Sequence, residues 1–296
     1  MAHVTSSAAE EILDNEFPCL DHGFVRLVDY MGTDESIVQA ARVSYGRGTK
    51  KVRQDRGLIR YLLRHRHTSP FEMVEFKFHC KMPIFVARQW IRHRTASVNE
   101  YSLRYSRAID CFYVPSVENI RFQSKSNRQG RSDESVPAEL QQQVLDIIKR
   151  NVEQSWEDYE DLEKKNIARE LARMHLPVNL YTEWYWKIDL NNLMHFLKLR
   201  LDEHAQYEIR TYALAIADIV KKVVPITWEA FEDYILYARE FSRQEMELLM
   251  KVINKDQDWE KIAVEAGFNK LEAFEFANKM RSNSMKSATH EDDSIA

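Results

Sequence analysis

Apolar and polar residues alternate without interruption at positions 74–82 of the sequence. Its apolar members are Val74, Phe76, Phe78, Cys80 and Met82, and its polar members are Glu75, Lys77, His79 and Lys81. Successive side chains of an extended chain point in opposite directions, so this alternation predicts a β-strand with one buried and one exposed face.

Other periodic stretches predict two more strands and several helices. The strands are expected at residues 24–31 and 181–188. Apolar residues at helical spacing predict helices at residues 37–43, 55–65, 84–92, 139–168, 191–223 and 228–241. Residues 124–135 contain no apolar side chain and predict a mobile surface loop. Beyond Arg243 the pattern is helical and charged, and from Ser282 onward its polarity predicts disorder.

The composition is typical of a globular chain. With 296 residues, of which 44% are apolar, the chain can bury a large core as one domain or one domain with an appendage. Its longest uncharged apolar runs are far shorter than the roughly 20 residues that cross a bilayer. Residues 1–17 lack the pattern of a secretory or mitochondrial signal, so the expected location is the cytoplasm, without membrane attachment.

Charge and cysteine content argue against nucleic-acid-binding and metal-binding proteins. The net charge of −4 lacks the positive excess that displaces counterions from phosphates. Cys19, Cys80 and Cys111 lie far apart, which argues against a disulfide framework or a zinc site. His65 and His67 have no carboxylate or thiol at a usual ligand spacing, so no metal is expected. No glycine-rich phosphate loop is present either.

The densest chemistry lies at residues 88–107, where five arginines accompany a single acid, Glu100. A guanidinium presents paired donors that match phosphate oxygens, and the interleaved serines and Asn99 add neutral donors. The segment therefore favours a nucleotide or phosphate site. Two alternatives stay open from these residues alone: a solvated arginine-rich face, and an RNA-binding patch in which Tyr101 and Tyr105 stack on bases.

Residues 92–105 resemble the signature of flavin-dependent thymidylate synthases. The family pattern RHRxxSxNExSxRY has nine fixed positions, and RHRTASVNEYSLRY matches all of them. Further matches are ARVS at 41–44, HTSPFE at 67–72, FVARQW at 85–90, ARMHLP at 172–177, LR at 199–200 and HAQYEIR at 204–210. The likeness spans residues 24–237.

The resemblance implies an α/β fold of the mixed α+β class, with a central, mostly antiparallel sheet flanked by long helices. It implies residues 21–241 as the synthase domain, preceded by a segment at 1–20 and followed by a helical extension at 242–296. It also implies a homotetramer whose active sites lie at subunit junctions.

The implied reaction is the reductive methylation of dUMP to dTMP. Methylene-tetrahydrofolate supplies the carbon, FAD carries the hydride and NADPH is the reductant. No cysteine nucleophile is needed, and Cys80 and Cys111 are expected to be packing residues. Within enzymes, the alternative is another nucleotide-binding FAD/NADPH reductase, which would oxidise its reductant without dUMP.

The resemblance also assigns site residues. The FAD positions are Ser44, His67, Ser69, Arg92, His93, Arg94, Thr95, Glu100, Asp189, Asn191 and His195. The dUMP positions are Gln89, Arg92, Glu100, Tyr101, Ser102, Leu103, Arg104, Arg173 and Arg200. Many members of the family carry Asn-x-Arg where this chain has Asp189 and Asn191, so one cationic contact to the flavin phosphates is missing here.

Arg200 is the residue that the resemblance makes catalytic, as a cation placed against the uracil ring. Arg200, His204 and Glu208 are spaced four apart. On the single helix predicted for residues 191–223 they would share one face that could line the pocket.

Overall fold

The computed structural model describes residues 4–43, 52–125, 130–253 and 257–281. The chain divides into two compact units between Ala238 and Arg239. Within the described residues, no helix is long and apolar enough to cross a membrane. The first unit combines a sheet with helices, which confirms the expected mixed α+β class.

The strands form an antiparallel sheet and a separate hairpin. In chain order the strands are β1 (Glu16–Cys19), β2 (Gly23–Met31), β3 (Glu75–Pro83), β4 (Ser97–Glu100), β5 (Arg121–Gln123), β6 (Arg131–Ser135) and β7 (Tyr181–Asp189). The five-stranded sheet has the order β1-β2-β3-β7-β4, and all its neighbours pair antiparallel. The three strands predicted from the sequence are confirmed as β2, β3 and β7.

The helices of the first unit are α1 (Ser7–Glu10), α2 (Asp34–Val43), α3 (Val52–Arg64), α4 (Ile84–Trp90), α5 (Ala138–Lys164), α6 (Arg169–Ala172), α7 (Leu190–Arg200), α8 (Tyr207–Val223) and α9 (Pro225–Phe231). The second unit contains α10 (Arg243–Val252), α11 (Trp259–Glu265) and α12 (Lys270–Arg281). Its aromatic contacts join Trp259 and Phe268 to Phe276. The prediction of a helical pattern beyond Arg243 is confirmed for the described residues.

One face of the sheet forms the core. Phe78 pairs in register with Trp186, and both side chains are fully buried. Trp90, at the end of α4, stands edge-on to Trp186 at a ring-centroid distance of 5.1 Å and stacks on Phe196 of α7, also at 5.1 Å. Burial of such large aromatic surfaces provides most of the free energy that holds helices on a sheet. The end of α4 is therefore fixed to the centre of the core.

The opposite face of β3 carries its polar residues, as the alternation predicted. Lys77 pairs with Asp29 of β2 at 2.8 Å, and His79 lies 3.0 Å from the Glu183 carboxylate of β7. Such cross-strand pairs stabilise the polar face of the sheet.

The prediction of a single long helix at residues 191–223 is wrong. The segment forms two helices, α7 and α8, separated by a turn at residues 201–206. In this turn the Asp202 carboxylate accepts a 2.8 Å hydrogen bond from the backbone N–H of His204. A local bond of this type competes with helical hydrogen bonding. Arg200 consequently ends one helix, His204 lies in the turn and Glu208 lies in the first turn of the next helix, so their predicted common face does not exist.

Two other predictions need correction. Residues 124–135, expected as a mobile loop, include β6, which pairs with β5 as a hairpin; residues 126–129 lie outside the described chain. Its strands are mostly exposed, so the apolar alternation that reveals a strand is missing. The helix predicted for residues 228–241 ends as α9 at Phe231 and continues only as a π-helical turn to Leu236.

Candidate active site

The arginine-rich segment links the buried end of α4 to the sheet edge. After Trp90 the chain turns and enters β4, whose four residues are all exposed and pair with β7. The backbone N–H of Tyr101 continues this pairing with a 2.8 Å bond to the Glu183 carbonyl. Sequence patterns did not indicate β4, because an exposed edge strand has no apolar face. The fold thus presents residues 91–100 on a rigid frame.

A shallow cavity of about 260 Å³ opens beside this segment. Its lining residues are His93, Arg94, Thr95, Ile188, Asn192, His195 and Leu199. His93, Arg94, Thr95 and His195 belong to the predicted flavin positions, and the structure brings them together from two segments about 100 residues apart. Polar donors around an aliphatic floor fit a flat heterocycle with hydrogen-bonding edges. The cavity lies below the roughly 300–1,000 Å³ typical of ligand pockets, so this single chain encloses only part of such a ligand.

Arg200 is held by His93, one of the residues that line this cavity. Its Nε donates a 3.1 Å hydrogen bond to His93 Nε2, and the His93 ring packs edge-on to Phe196 at 4.9 Å. Burial lowers the pKa of Arg200, yet a guanidinium remains charged at neutral pH. The arrangement therefore fixes a half-buried cation at the end of α7.

The His93 imidazole is neutral at physiological pH. Its pKa is lowered from 6.5 to about 4, first by burial and then by the nearby Arg200 and His195. Because Nε2 accepts from Arg200, the ring proton of the neutral form lies on Nδ1. A neutral acceptor orients Arg200 without adding a second positive charge.

Folding stability is expected to fall as the pH drops from 6.5 toward 4, with His93 contributing to the loss. Because its pKa is lower in the folded state, the unfolded chain takes up about one more proton in this window. His93→Gln, whose amide oxygen can still accept from Arg200, should flatten the dependence. Urea unfolding of flavin-free protein at pH 7, 6 and 5 measures it, and an equal slope in wild type and variant would contradict the assignment.

Several arginines of the predicted site and its flanking segments have no carboxylate partner among the described residues. In the described part of the chain, no carboxylate pairs with Arg88, Arg92, Arg94 or Arg173. Arg107, by contrast, is paired with Glu160 at 2.6 Å and Glu163 at 2.7 Å on α5. Guanidinium groups without a carboxylate partner are suited to an anionic ligand, and phosphate oxygens match their geometry.

The predicted dUMP residues after β4 lie on a loop tied to α6. Arg169 donates a 2.8 Å bond to the Tyr105 carbonyl, and Arg104 lies 3.8 Å from Glu170. Arg173 follows α6 directly, so this contact joins its segment to the loop. Within the loop, the Ser102 hydroxyl accepts a 3.4 Å bond from the backbone N–H of Arg104, and Tyr101 and Leu103 flank this turn.

The other predicted positions have individual surroundings. Glu100 accepts a 2.8 Å bond from the Thr182 hydroxyl, and Gln89 donates to the side chain of Gln206. His67, on the connection after α3, stacks on Tyr61 at 6.0 Å. The same connection carries Ser69, which is exposed. Ser44 lies outside the described residues.

Asp189 and Asn191 begin the helix that ends in Arg200. The Asp189 carboxylate caps α7 by accepting from the backbone N–H of Asn192 at 2.9 Å, and it also accepts from the Asn192 side chain at 2.7 Å. Asn191 is half-buried in the first turn. Asp189 thus has a structural partner of its own, and its contact with flavin stays a prediction.

Sequence reasoning missed Asn192. It lines the cavity three residues before His195, and Asp189 orients its amide. The signal that could have revealed it was helical spacing, since residues three apart share a face of α7.

Comparison with known proteins identifies the family. The family model described as "Thymidylate synthase complementing protein" matches residues 26–226. A flavin-dependent thymidylate synthase of Gluconobacter oxydans is 56% identical over 277 residues, which cover 92% of this chain and 90% of that protein. The chain belongs to the flavin-dependent thymidylate synthase family. A family member from Treponema denticola is 56% identical over 241 residues, covering 81% of this chain and 91% of its own.

Solved structures agree with this membership. The UMP/dUMP methylase PolB of Streptomyces cacaoi, in a structure described as bound with 5-Br dUMP, has a TM-score of 0.68 and 36% identity. The match covers 75% of this chain and 100% of PolB. The family resemblance, the fold class and the assignment as an enzyme of the methyltransferase class are therefore confirmed.

Proposed function

We propose that this flavin-dependent thymidylate synthase converts dUMP to dTMP, with 5,10-methylene-tetrahydrofolate as carbon donor, FAD as hydride carrier and NADPH as reductant, yielding tetrahydrofolate. The observation that carries the proposal is the fixed Arg200 cation, which a neutral His93 holds beside a cavity lined by Arg94, an arginine without a carboxylate partner among the described residues. Relatives named for this activity at 52–57% identity support the proposal.

The residues around the cavity fit a flavin. Arg92 and Arg94 would neutralise its phosphates, while Thr95, Asn192 and His195 would offer hydrogen bonds to its polar edges. When bound there, the flavin would carry the hydride between the nicotinamide reductant and the pyrimidine. The protein itself contributes binding, orientation and exclusion of water.

We assign dUMP to the segment between Gln89 and the loop after β4. The Arg104 and Arg173 guanidinium groups and the turn at Ser102 would hold the phosphate. Arg200 would face the pyrimidine, where a cation stabilises negative charge that develops on the ring during hydride and carbon transfer. Because His93 already orients Arg200, little reorganisation is needed when that charge develops.

The cysteines support a mechanism without a thiolate nucleophile. Burial raises the pKa of Cys19 to about 12, and burial also raises the pKa of Cys80 well above its usual range. The Cys111 thiol is likewise shifted upward by burial. A nucleophilic cysteine needs the opposite shift, toward the thiolate form.

We further propose a homotetramer whose subunits complete the site, with residues 21–241 as the catalytic domain. Apolar side chains beside Arg173 support an interface, since Met174 is 74% exposed and Val178 is 61% exposed. A solution mass near four times the subunit mass of 35.1 kDa is expected, and a monomer that turns over dUMP would contradict this assembly.

The decisive experiment follows tritium release from dUMP labelled at ring carbon five, with FAD, methylene-tetrahydrofolate and NADPH omitted in turn. Release coupled to dTMP, and lost on each omission, is expected. Oxidation of NADPH that does not need dUMP would instead identify another reductase on the same scaffold. A protein that neither carries nor accepts FAD would overturn the proposal.

A further inference from the structure

A buried carboxylate outside the cavity organises three polar contacts. Glu208, in the first turn of α8, is only 2% exposed. It accepts a 3.0 Å bond from the Tyr113 hydroxyl, a 2.8 Å bond from Gln206 Nε2 and an ion-paired hydrogen bond from Arg131 of β6. Burying a charge is costly unless it is paired and hydrogen-bonded, and here one ion pair and two further hydrogen bonds compensate that cost.

The Glu208 contacts determine which way two glutamine amides point. A carboxylate paired with Arg131 has no proton to donate, so Gln206 must turn its NH₂ group toward it. The Gln206 oxygen then faces Gln89 and accepts from Gln89 Nε2. The orientation of a glutamine amide is usually ambiguous, because its oxygen and nitrogen look alike. Here the Glu208 carboxylate can only accept, so it removes the ambiguity for both glutamines.

The series of hydrogen bonds from Glu208 through Gln206 ends at the side-chain oxygen of Gln89. In the part of the chain that the structure describes, Gln89 Oε1 makes no hydrogen bond. Gln89 is half-buried and lies at the end of α4, three residues before Arg92. The hydrogen bonds to Glu208 therefore leave the Gln89 oxygen as a free acceptor, among the described residues, at the proposed dUMP site.

We propose that Glu208 is a positioning residue which, through Gln206, makes Gln89 present its amide oxygen to the nucleotide. The inference rests on the proposed function, in which Gln89 contacts dUMP. A matching ligand group must be a hydrogen-bond donor, and dUMP has two: the ring N3–H and the 3′-hydroxyl. The site would thus discriminate against nucleotides that place an acceptor or a methyl group at that point.

The first test is Glu208→Gln in the flavin-loaded enzyme. Arg131 and Tyr113 donate to one oxygen of residue 208, so a new amide would keep its oxygen there and turn its NH₂ group toward Gln206. Gln206 and Gln89 would then reverse, and Gln89 would present its NH₂ group to the nucleotide. We expect KM for dUMP to rise about tenfold, equivalent to about 1.4 kcal/mol, with kcat changed less than threefold and flavin absorbance unchanged.

The matched control is Tyr113→Phe. It removes another donor from the same carboxylate but leaves the Gln206 contact intact. We expect KM for dUMP to stay within about twofold of wild type, whereas a purely structural role of Glu208 predicts similar losses in both variants. Should Glu208→Gln fail to fold, Gln206→Met is the second variant. It removes the relay, meaning the hydrogen bonds that link Glu208 through Gln206 to Gln89, and preserves the ion pair between Glu208 and Arg131.

Two further measurements locate the effect. In a Gln89→Ala background, Glu208→Gln should raise KM no further, because the relay has lost its end point. Binding of N3-methyl-dUMP and of 2′,3′-dideoxyuridine monophosphate shows which donor is recognised. The affected analogue should bind wild type about tenfold more weakly than dUMP, and the difference should fall below about threefold in Glu208→Gln.

Opposite results are informative. An unchanged KM and unchanged analogue preference in Glu208→Gln, with normal wild-type turnover, would overturn this inference alone. A full additional KM increase in the Gln89→Ala background would overturn the relay through Gln206. A wild-type protein that fails to bind dUMP would overturn the proposed function and this inference with it.

Discussion

Arg200→Ala is expected to lower kcat by a factor of about 10²–10³ while flavin stays bound. A preorganised donor aimed at developing charge typically contributes that much to an enzymatic rate. Arg200 fits this description because it is half-buried and oriented by a 3.1 Å bond to neutral His93. Single-turnover rates and flavin absorbance of the purified variant separate the chemical step from cofactor binding.

Two further variants serve as controls for Arg200→Ala. Arg200→Lys keeps the charge but loses the planar donor group, so an intermediate rate is expected. Arg243→Ala removes an exposed arginine that is paired with Glu247 in the second unit and should leave kcat unchanged. Unchanged turnover in Arg200→Ala would remove Arg200 from the mechanism, and loss of flavin together with turnover would make its role one of cofactor binding.

Trp90→Ala is expected to reduce the free energy of unfolding by about 3–5 kcal/mol, the usual cost of truncating a buried aromatic residue. Trp90 is fully buried and contacts the rings of Trp184, Trp186, Phe196 and Tyr212. Urea unfolding of flavin-free protein at one fixed protein concentration measures the change.

The consequence for the site distinguishes Trp90 from other core residues. Trp90 immediately precedes the turn that carries Arg92 and His93, so Trp90→Ala should also weaken flavin binding. Trp90→Phe, which keeps most of the packing, should cost clearly less. Tyr237→Ala at a 71% exposed position should change stability by less than about 0.5 kcal/mol. A loss below about 1 kcal/mol in Trp90→Ala would contradict the view that α4 is anchored there.

The resemblance at residues 92–105 predicted the family and the fold class, and both are confirmed. The structure revealed strands that the sequence patterns did not predict. The strand β4 inside the motif was not predicted, because its four residues are exposed and show no apolar alternation. The hairpin of β5 and β6 was missed for the same reason.

The break between α7 and α8 could not be predicted from helical periodicity. Residues 191–223 keep a helical pattern and contain no proline or glycine, so the pattern alone predicts one helix. The turn depends on a side-chain contact of Asp202, and it moves Glu208 from the expected pocket face into a buried network with Arg131. Residues 44–51 and 126–129 lie outside the described chain, so the predicted flavin contact of Ser44 stays a prediction.

Local sequence patterns were sufficient for the properties that depend on neighbouring residues: the two-faced strand at 74–82, most helices, and a motif whose residue types match phosphate and nucleotide chemistry. Contacts between distant groups, such as Arg200 with His93 and Glu208 with Arg131, could be identified only in the folded chain. Periodicity is a local property that burial of one face imposes on each segment. Pairings between residues about 80–110 positions apart instead depend on how the helices pack on the sheet, which no local pattern records.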